Sequence, residues 1–302
     1  MWFDPATVEA FRNAFPEWTA FLFAALSYLG SVWFVAPVVV LAFWFLDRHR
    51  FASWLAIVMG GYAVMVGLKG VFETPRPGVG PAIAPEAVPL PLALVYAPAV
   101  EIATTSFPSG HAIAAVVIWG MLALEFDWAR RRTRWIVAAT MVVLVSLSRI
   151  GVGVHYPIDV IVGAGVGVGY LALALAVRRW VRSRDGHTAT SATFATSSLL
   201  AAIALLASGK PDAAALLGGS LGALAVWEYA TPPREPWPVT TPILLRAAAG
   251  IGLLGLVALV LVVVDAHVVW LAVGLLGGAT VVGLPTVVDD GETDATLIGA
   301  AT

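Results

Sequence analysis

The chain is divided into long apolar runs separated by short polar loops, and this pattern restricts it to the membrane. A helix that crosses the hydrocarbon core needs about 20 predominantly apolar residues. The 302 residues are 60% hydrophobic and 12% charged, whereas soluble domains carry about 25% charged residues. We therefore predict an all-α fold, a polytopic transmembrane helical bundle of about nine spans. The predicted spans lie near residues 18–46, 52–72, 110–126, 135–150, 157–178, 195–208, 213–230, 243–264 and 267–288.

The arginines of the connecting loops predict the orientation of these spans. Ten arginines fall on one face if the spans alternate, and positive charge is retained on the cytoplasmic side of a membrane protein. The N-terminus and the loops 73–109 and 151–156 are therefore expected outside the cytoplasm, in a multi-pass protein of the cell membrane. The ten residues are Arg48, Arg50, Arg130, Arg131, Arg132, Arg134, Arg178, Arg179, Arg182 and Arg184.

Net charge and cysteine content exclude several classes of function. The net charge of −2 at pH 7 lacks the positive excess of a nucleic-acid-binding protein, so no nucleic acid partner is expected. The chain contains no cysteine, which excludes disulfides, thiolate metal sites and cysteine nucleophiles.

Three clusters of polar residues lie at the outer ends of predicted spans, where polar side chains are otherwise scarce. They bring three cations and two histidines to one membrane face, which predicts an electropositive pocket suited to a phosphate. The clusters contain Lys69 and Arg76, then Ser109, Gly110 and His111, then Arg149, His155 and Asp159.

Each cluster has residue types that suit phosphate chemistry. Arginine presents a planar fork to phosphate oxygens, and lysine presents a point charge. Ser109 and Gly110 open a predicted helix, whose unpaired N–H groups favour an anion, and glycine lets the backbone approach the ligand. His155 and Asp159 are four residues apart, so that on a helical turn the carboxylate can fix the imidazole tautomer. His155 can then attack as a nucleophile, and His111 remains as an acid for the leaving oxygen.

The order and spacing of these residues resemble the signature of the type 2 phosphatidic acid phosphatase (PAP2) superfamily. Six residues separate Lys69 from Arg76-Pro77, and Pro108-Ser109-Gly110-His111 follows. Ser148-Arg149 comes next, with His155 after five residues and Asp159 after three more. The resemblance covers roughly residues 20–180.

The resemblance implies a role for each of these residues. His155 would take the phosphoryl group, His111 would protonate the departing alcohol or phosphate, and Asp159 would orient His155. No metal and no cofactor are expected, and the partners would be a lipid phosphate substrate and membrane lipids. The residues expected to hold the phosphoryl oxygens are Lys69, Arg76, Ser109, Gly110 and Arg149.

These inferences predict two segments with different roles. Residues 1–186 are expected to form a PAP2-like catalytic core, and residues 187–302 to add transmembrane helices of unknown role. The added helices could extend the bundle, widen a lipid groove or make a homo-oligomer contact, and Gly218-Gly219 and Gly222 are expected to serve close helix packing. The proline-rich loop 78–107 is interpreted as a lid or lipid entrance. His187 and His267 are predicted to lack polar contacts.

Three functions are compatible with the sequence. The leading one is a membrane phosphatase that hydrolyses a phosphatidate-like or polyprenyl diphosphate lipid through a phosphohistidine outside the cytoplasm. A lipid phosphotransferase would use the same pocket with an alcohol as the acceptor. A non-catalytic lipid or anion transporter is disfavoured, because transporters place ionisable residues near the membrane midplane and here they fall near span ends.

Overall fold

The computed structural model describes residues 3–182, 186–230, 240–241, 243–245, 247–249, 252 and 266–299. These residues form α-helices joined by short loops and one long loop, and the described ranges contain no β-strand, in agreement with the predicted all-α class. A single 3-10 turn lies at Pro85–Ala87 in the long loop. The helices are α1 (Pro5–Asn13), α2 (Thr19–Tyr28), α3 (Val32–Phe45), α4 (Arg48–Phe72), α5 (Leu90–Val100), α6 (Gly110–Glu125), α7 (Arg131–Gly151), α8 (Pro157–Arg182), α9 (Gly186–Ser208), α10 (Pro211–Tyr229) and α11 (His267–Gly299).

Six helical segments of the described chain are long and apolar enough to cross a membrane, which makes the chain an integral membrane protein. The predicted count of nine spans is not confirmed. Helix α6, predicted as a span, has only 16 residues, and most of the predicted span 243–264 lies outside the described residues. The six segments are Thr19–Phe45, Arg48–Phe72, Arg131–Gly151, Pro157–Val181, Gly186–Ser208 and His267–Thr286.

The chain folds as two compact units, and the first comprises Met1–Ala36 and Met65–Leu173. Helices α6 and α7 form its central antiparallel pair, α2 packs on α7 and α5, and α1 packs on α7. Helix α8 lies close to α6, since a Cβ at Gly163 would come within 2.6 Å of the carbonyl oxygen of Ser109. This close approach brings the start of α8 beside the start of α6, where the predicted site residues lie.

The second unit comprises Pro37–Val64 and Ala174–Thr302, and its helices α10 and α11 meet through glycines. A Cβ at Gly218 or Gly222 would collide with the carbonyl oxygens of Leu271 and Leu275. Gly274 faces α10 in the same way, against the carbonyl oxygen of Ala215. Small residues four apart allow such backbone contact. The expectation of close packing at these glycines is confirmed.

The prediction that two histidines of the second unit lack polar contacts is wrong. Nε2 of His187 lies 3.5 Å from Oε2 of Glu228, and its ring stacks on Trp227 with centroids 5.3 Å apart. Nε2 of His267 lies 2.7 Å from the carbonyl oxygen of Gly209. Both contacts join residues that are distant along the chain, which is why their sequence neighbours do not reveal them.

The functional division of the chain at residue 186 stays a prediction.

Candidate active site

His155 and Asp159 form a buried pair at the junction of α7 and α8. Pro157 begins α8, where its missing N–H leaves no helical bond unmade, and Asp159 lies in the first turn. Nδ1 of His155 lies 3.1 Å from Oδ2 of Asp159, and the two residues are 1% and 0% exposed. The N–H of Tyr156 donates to the same oxygen at 2.8 Å. A carboxylate in this position selects the tautomer with the proton on Nδ1 and leaves the lone pair on Nε2.

Ser106 completes this arrangement and was not anticipated from the sequence. Its hydroxyl donates to Oδ2 of Asp159, and its Oγ lies 3.4 Å from Nδ1 of His155. The side chain is fully buried, so water does not compete for these contacts. The polar run Thr104-Thr105-Ser106 directly before Phe107-Pro108 is the sequence feature that could have indicated it.

Arg76 lies on the opposite side of the imidazole. Its Nη1 is 3.4 Å from Nε2 of His155 and donates to the carbonyl oxygen of Val154 at 2.6 Å. Its Nε donates to the carbonyl oxygen of Thr104 at 2.6 Å, and its Nη2 donates to Thr104 Oγ1 at 3.1 Å. Burial lowers the pKa of Arg76 to about 10, partly offset by Asp159, so the guanidinium stays charged at neutral pH. A fixed cation therefore faces the nitrogen that would attack phosphorus.

Lys69 is the basic residue of the last turn of α4 and shares one partner with Arg76, whose Nη2 donates to the carbonyl oxygen of Thr105 at 3.2 Å. Its Nζ donates to the carbonyl oxygens of Thr105 and Ser106, the latter at 3.3 Å. The Thr105 hydroxyl donates back to the carbonyl oxygen of Lys69 at 3.2 Å. The backbone of residues 104–106 thus holds two of the three predicted cations.

Arg149 provides the third cation, two residues before the end of α7. It is 0% exposed, and its Nη1 donates to the carbonyl oxygen of Ala99 at 2.9 Å. Its Nε and Nη2 atoms have no hydrogen-bond partner within the described part of the chain. Buried N–H groups are almost always paired, and an Nε–Nη2 edge matches two oxygens of a phosphate. This edge is therefore a candidate contact for the phosphoryl group.

Ser109 and Gly110 begin α6, as the sequence predicts. The Ser109 side chain caps the helix by accepting from the N–H of Ala112 at 3.4 Å, and its own N–H donates to the carbonyl oxygen of Asp159 at 2.9 Å. A Cβ at Gly110 would collide with Sδ of Met65. The absence of a side chain at Gly110 thus leaves room for the Met65 side chain of α4, and its expected approach to a ligand stays a prediction.

His111 is the second residue of α6 and is half-buried. It lies close enough to His155 and to the three cations to interact with them electrostatically. The two histidines predicted to share the chemistry therefore belong to one charged cluster, in which His111 is the more accessible.

The surroundings of His155 favour its neutral form. Burial is the largest cause that lowers its pKa well below the ordinary 6.5, and Arg76, Arg149 and Lys69 add to the shift. A contact from Ser106 acts in the opposite direction. Only the neutral imidazole has a lone pair on Nε2, so this environment keeps the group nucleophilic at neutral pH.

The backbone of the long loop between α4 and α5 packs against the segment that carries His155. Gly153 has a φ of 78°, and a Cβ there would collide with the carbonyl oxygen of Gly80. Arg12 of α1 donates to the carbonyl oxygen of Val79 at 2.9 Å. The loop backbone next to Gly80 is thus held between α1 and the turn that precedes His155.

The predicted site residues all lie in the first unit, and the three cations surround one histidine–aspartate pair. Among the described residues, no group of three histidine, aspartate or glutamate side chains could hold a metal ion. The arrangement is suited to bind a tetrahedral anion, present a neutral imidazole to it and neutralise its charge.

Comparison with known proteins finds one family model that matches the segment containing this cluster. The family model described as PAP2 superfamily matches residues 50–183, which confirms the resemblance seen in the motifs. Among solved structures, the chain is similar to a transmembrane PAP2-type phosphatidylglycerolphosphate phosphatase from Bacillus subtilis. The two share 24% identity over 56% of this chain and 82% of the other, with a TM-score of 0.43. A search of curated proteins found no match.

Proposed function

We propose that this chain, of which residues 50–183 match the PAP2 superfamily model, is an integral-membrane phosphatase acting on a lipid phosphomonoester or diphosphate through a phosphohistidine. The observation that carries the proposal is the orientation of His155. Its Nδ1 is bound to Asp159 at 3.1 Å, and its Nε2 points to Arg76 at 3.4 Å. A nucleophile held in this way faces the cation that would bind the phosphate it attacks.

The first chemical step transfers the phosphoryl group to His155. Nε2 forms a bond to phosphorus while the bond from phosphorus to the leaving oxygen breaks. His111, protonated as the negative phosphate binds beside it, gives a proton to that oxygen, which departs as an alcohol or a phosphate. The Nδ1 proton stays on the imidazole and donates to Asp159, whose negative charge stabilises the phosphorylated ring.

The second step releases phosphate. His111, now neutral, takes a proton from water as the oxygen of that water attacks phosphorus and the bond to Nε2 breaks. His155 returns to its neutral form and inorganic phosphate leaves. Lys69, Arg76 and Arg149 hold the nonbridging oxygens in both steps, so the charge that a metal would neutralise is met by the chain itself. We propose that Gly110 contributes its N–H group at the start of α6 and that Ser109, whose own N–H is bound to Asp159, contributes its hydroxyl.

The surroundings of the site favour a substrate that resides in the membrane. Helix α5 exposes a row of apolar side chains, among them Leu90 at 77%, Leu94 at 72% and Val95 at 56%. The C-terminal part of the same helix reaches the site, where the carbonyl oxygen of Ala99 accepts from Arg149. We propose that α5 lies in the bilayer and guides a lipid phosphate to the pocket, so that loop 78–107 is a lipid entrance. A phosphatidate-like lipid and a polyprenyl diphosphate are both suitable substrates.

Phosphate release by the purified protein in detergent with EDTA tests the activity. The substrates are phosphatidate, a polyprenyl diphosphate and a phosphatidylglycerophosphate, each assayed with wild type, His155→Ala and the matched control His267→Ala. We expect release from at least one lipid that EDTA does not suppress and that only His155→Ala abolishes. Release that is independent of His155, or no release from any of the three, would overturn the proposal. Transfer of the phosphoryl group to an added alcohol without release would identify a phosphotransferase instead.

The side of the membrane that the site faces has its own test. The absence of cysteine allows single-cysteine variants without any background substitution. Glu86→Cys marks the loop near the site, and Arg131→Cys marks the start of α7; both positions are exposed. With a maleimide that cannot cross the membrane, we expect labelling of intact cells at residue 86 and, only after lysis, at residue 131. The reverse pattern would place the site on the cytoplasmic side.

A further inference from the structure

A cavity lies at the end of the α6–α7 hairpin that is remote from His155. Its volume is about 240 Å³, and Arg134 is the only charged residue that lines it. Arg134 and Arg149 lie in the same helix, fifteen residues apart, and a rise of about 1.5 Å per residue separates them by about 22 Å. The cavity is therefore distinct from the candidate active site.

Arg134 gives this cavity a built polar group. The residue is 9% exposed, its Nη1 donates to the carbonyl oxygen of Phe126, and Nη1 also lies 2.8 Å from Oδ1 of Asp127. Its Nε is buried and has no hydrogen-bond partner within the described chain. A buried donor of this kind is normally satisfied, and an acceptor atom entering the cavity would satisfy it.

The rest of the lining is apolar and aromatic. Trp119, Phe126 and Trp128 contribute rings, and Ala123 and Ala138 leave room between the two helices. Trp119 is fixed, since its Nε1 donates to the carbonyl oxygen of Leu29 at 3.1 Å and its ring stacks on Phe34. Pockets for complete small ligands measure about 300–1,000 Å³. This smaller cavity therefore suits part of one acyl chain rather than a whole amphiphile.

The entrance to the cavity carries excess positive charge. Arg130, Arg131 and Arg132 are exposed immediately before Arg134, and Asp127 is the acidic residue paired with it. Clusters of arginine at the end of a membrane helix attract anionic lipids, and tryptophan favours the level of the head groups. The charge and the apolar lining together indicate a ligand that is anionic at one end and aliphatic at the other.

We propose that this cavity binds an anionic phospholipid of the surrounding bilayer. Part of one acyl chain lies between Trp119 and Ala138, and the phosphate accepts from Nε of Arg134 at the entrance. The three exposed arginines add long-range attraction for the negative head group. The bound lipid would join the end of α6 to the start of α7, at the end of the hairpin opposite the catalytic residues.

Native mass spectrometry of the purified protein with phosphatidylglycerol or phosphatidylcholine of identical acyl chains tests the proposal. Excess inorganic phosphate is present in each sample to occupy the active site. Ala138→Phe fills the cavity, and Ala139→Phe, at the exposed next position of α7, is its matched control. Arg134→Gln removes the buried charge, and Arg132→Gln removes an exposed one.

We expect wild type and Ala139→Phe to retain phosphatidylglycerol about tenfold more strongly than phosphatidylcholine. Both lipids offer a phosphate to Nε of Arg134, but only phosphatidylglycerol carries the net negative charge that the surrounding arginines attract. Ala138→Phe should lose this retention while it still elutes as a single species, and Arg134→Gln should lose more of it than Arg132→Gln. Equal retention of the two lipids would overturn the proposal. So would equal retention of phosphatidylglycerol by Ala138→Phe and Ala139→Phe.

Discussion

Asp159 binds Nδ1 of His155 through a single carboxylate oxygen, Oδ2, at a distance of 3.1 Å. Oδ1 of the same carboxylate has no hydrogen-bond partner within the described chain. The N–H of Tyr156 and the hydroxyl of Ser106 also donate to Oδ2, so three donors converge on one atom. The position and the tautomer of the imidazole thus depend on the charge and the orientation of one oxygen.

Asp159→Asn should lower kcat by about 10³-fold or more while the protein remains folded, since comparable histidine–aspartate pairs lose such factors when the carboxylate becomes an amide. The amide keeps the shape of the side chain, but it can present an N–H to Nδ1 and so stabilise the wrong tautomer. The measurement is the single-turnover rate of phosphate release, with the Tm in detergent as the check on folding. An Asp159→Asn variant with near-wild-type kcat would show that the carboxylate has no role in orienting His155.

Ser106→Ala should lower kcat about tenfold, because a hydrogen bond to a charged group contributes about 1.5–3 kcal/mol. KM should change little, since the hydroxyl contacts Asp159 and His155 rather than the cations. Ser27→Ala is the matched control, as Ser27 is a buried serine whose hydroxyl donates to the carbonyl oxygen of Ala24 within its own helix. If both variants lost the same activity, the effect of Ser106 would be one of packing.

The pH dependence of kcat/KM should report how the surrounding cations affect the pKa of His155. Arg76 helps to lower the pKa of His155 below 6.5, so activity should persist to a pH below that value. In Arg76→Gln a positive charge is removed, protonation of His155 becomes easier, and its pKa rises. The acidic limb should therefore move to higher pH, whereas Arg76→Lys should leave it in place. The ionisation of the substrate is common to the three proteins, so an unmoved limb in Arg76→Gln would contradict this account.

Arg149→Lys should raise KM for the lipid phosphate by about ten- to a hundredfold, because an ammonium cannot replace two parallel N–H groups at a phosphate. The lysine retains the positive charge, so a rise in KM would be assigned to the lost hydrogen-bond geometry. Orthophosphate should raise the Tm of the wild type through the same contact and should raise that of the variant less. Equal stabilisation of both proteins would show that the free edge of Arg149 does not meet the phosphate.

Gly222→Ala should destabilise the second unit, since the added Cβ collides with the carbonyl oxygen of Leu275 in α11. Forcing atoms into a packed contact costs about 1–3 kcal/mol, which should lower the Tm in detergent by several degrees. Gly169→Ala is the control, because Gly169 is exposed on α8 and its added Cβ meets no atom within 4 Å. A Tm unchanged in both variants would indicate that the α10–α11 contact relaxes without penalty.

The cluster of candidate site residues was predictable because charged and polar side chains are scarce in membrane spans. Charged residues such as Lys69, Arg149 and Asp159 stand out in apolar surroundings, and their spacing follows a family signature. The groups that hold the cations were not predictable. Thr104 and Thr105 bind them mainly through backbone carbonyl oxygens, which every residue type provides. The hydroxyl of Thr104, which accepts from Arg76, is the one side-chain contact that the polar run 104–106 could have indicated.

The number of spans was harder to predict than the class of fold. Hydropathy identifies apolar runs, but it does not show that the helix beginning at Gly110 ends at Glu125 after 16 residues. Its start is set by Ser109, whose side chain caps the helix and whose N–H is bound to Asp159. The start of α6 is thus fixed by contacts within the site, whereas a complete crossing of the membrane would require a longer helix.

On the proposed lipid entrance, the exposed apolar side chains of α5 determine which substrate concentration governs the rate. A substrate that arrives past Leu90 and Leu94 is drawn from the two-dimensional solution of lipids around the protein. The relevant variable is then the mole fraction of substrate in the bilayer or micelle, rather than the amount per volume of buffer. Dilution with an inert lipid at constant total substrate should slow turnover, whereas addition of buffer should leave it unchanged.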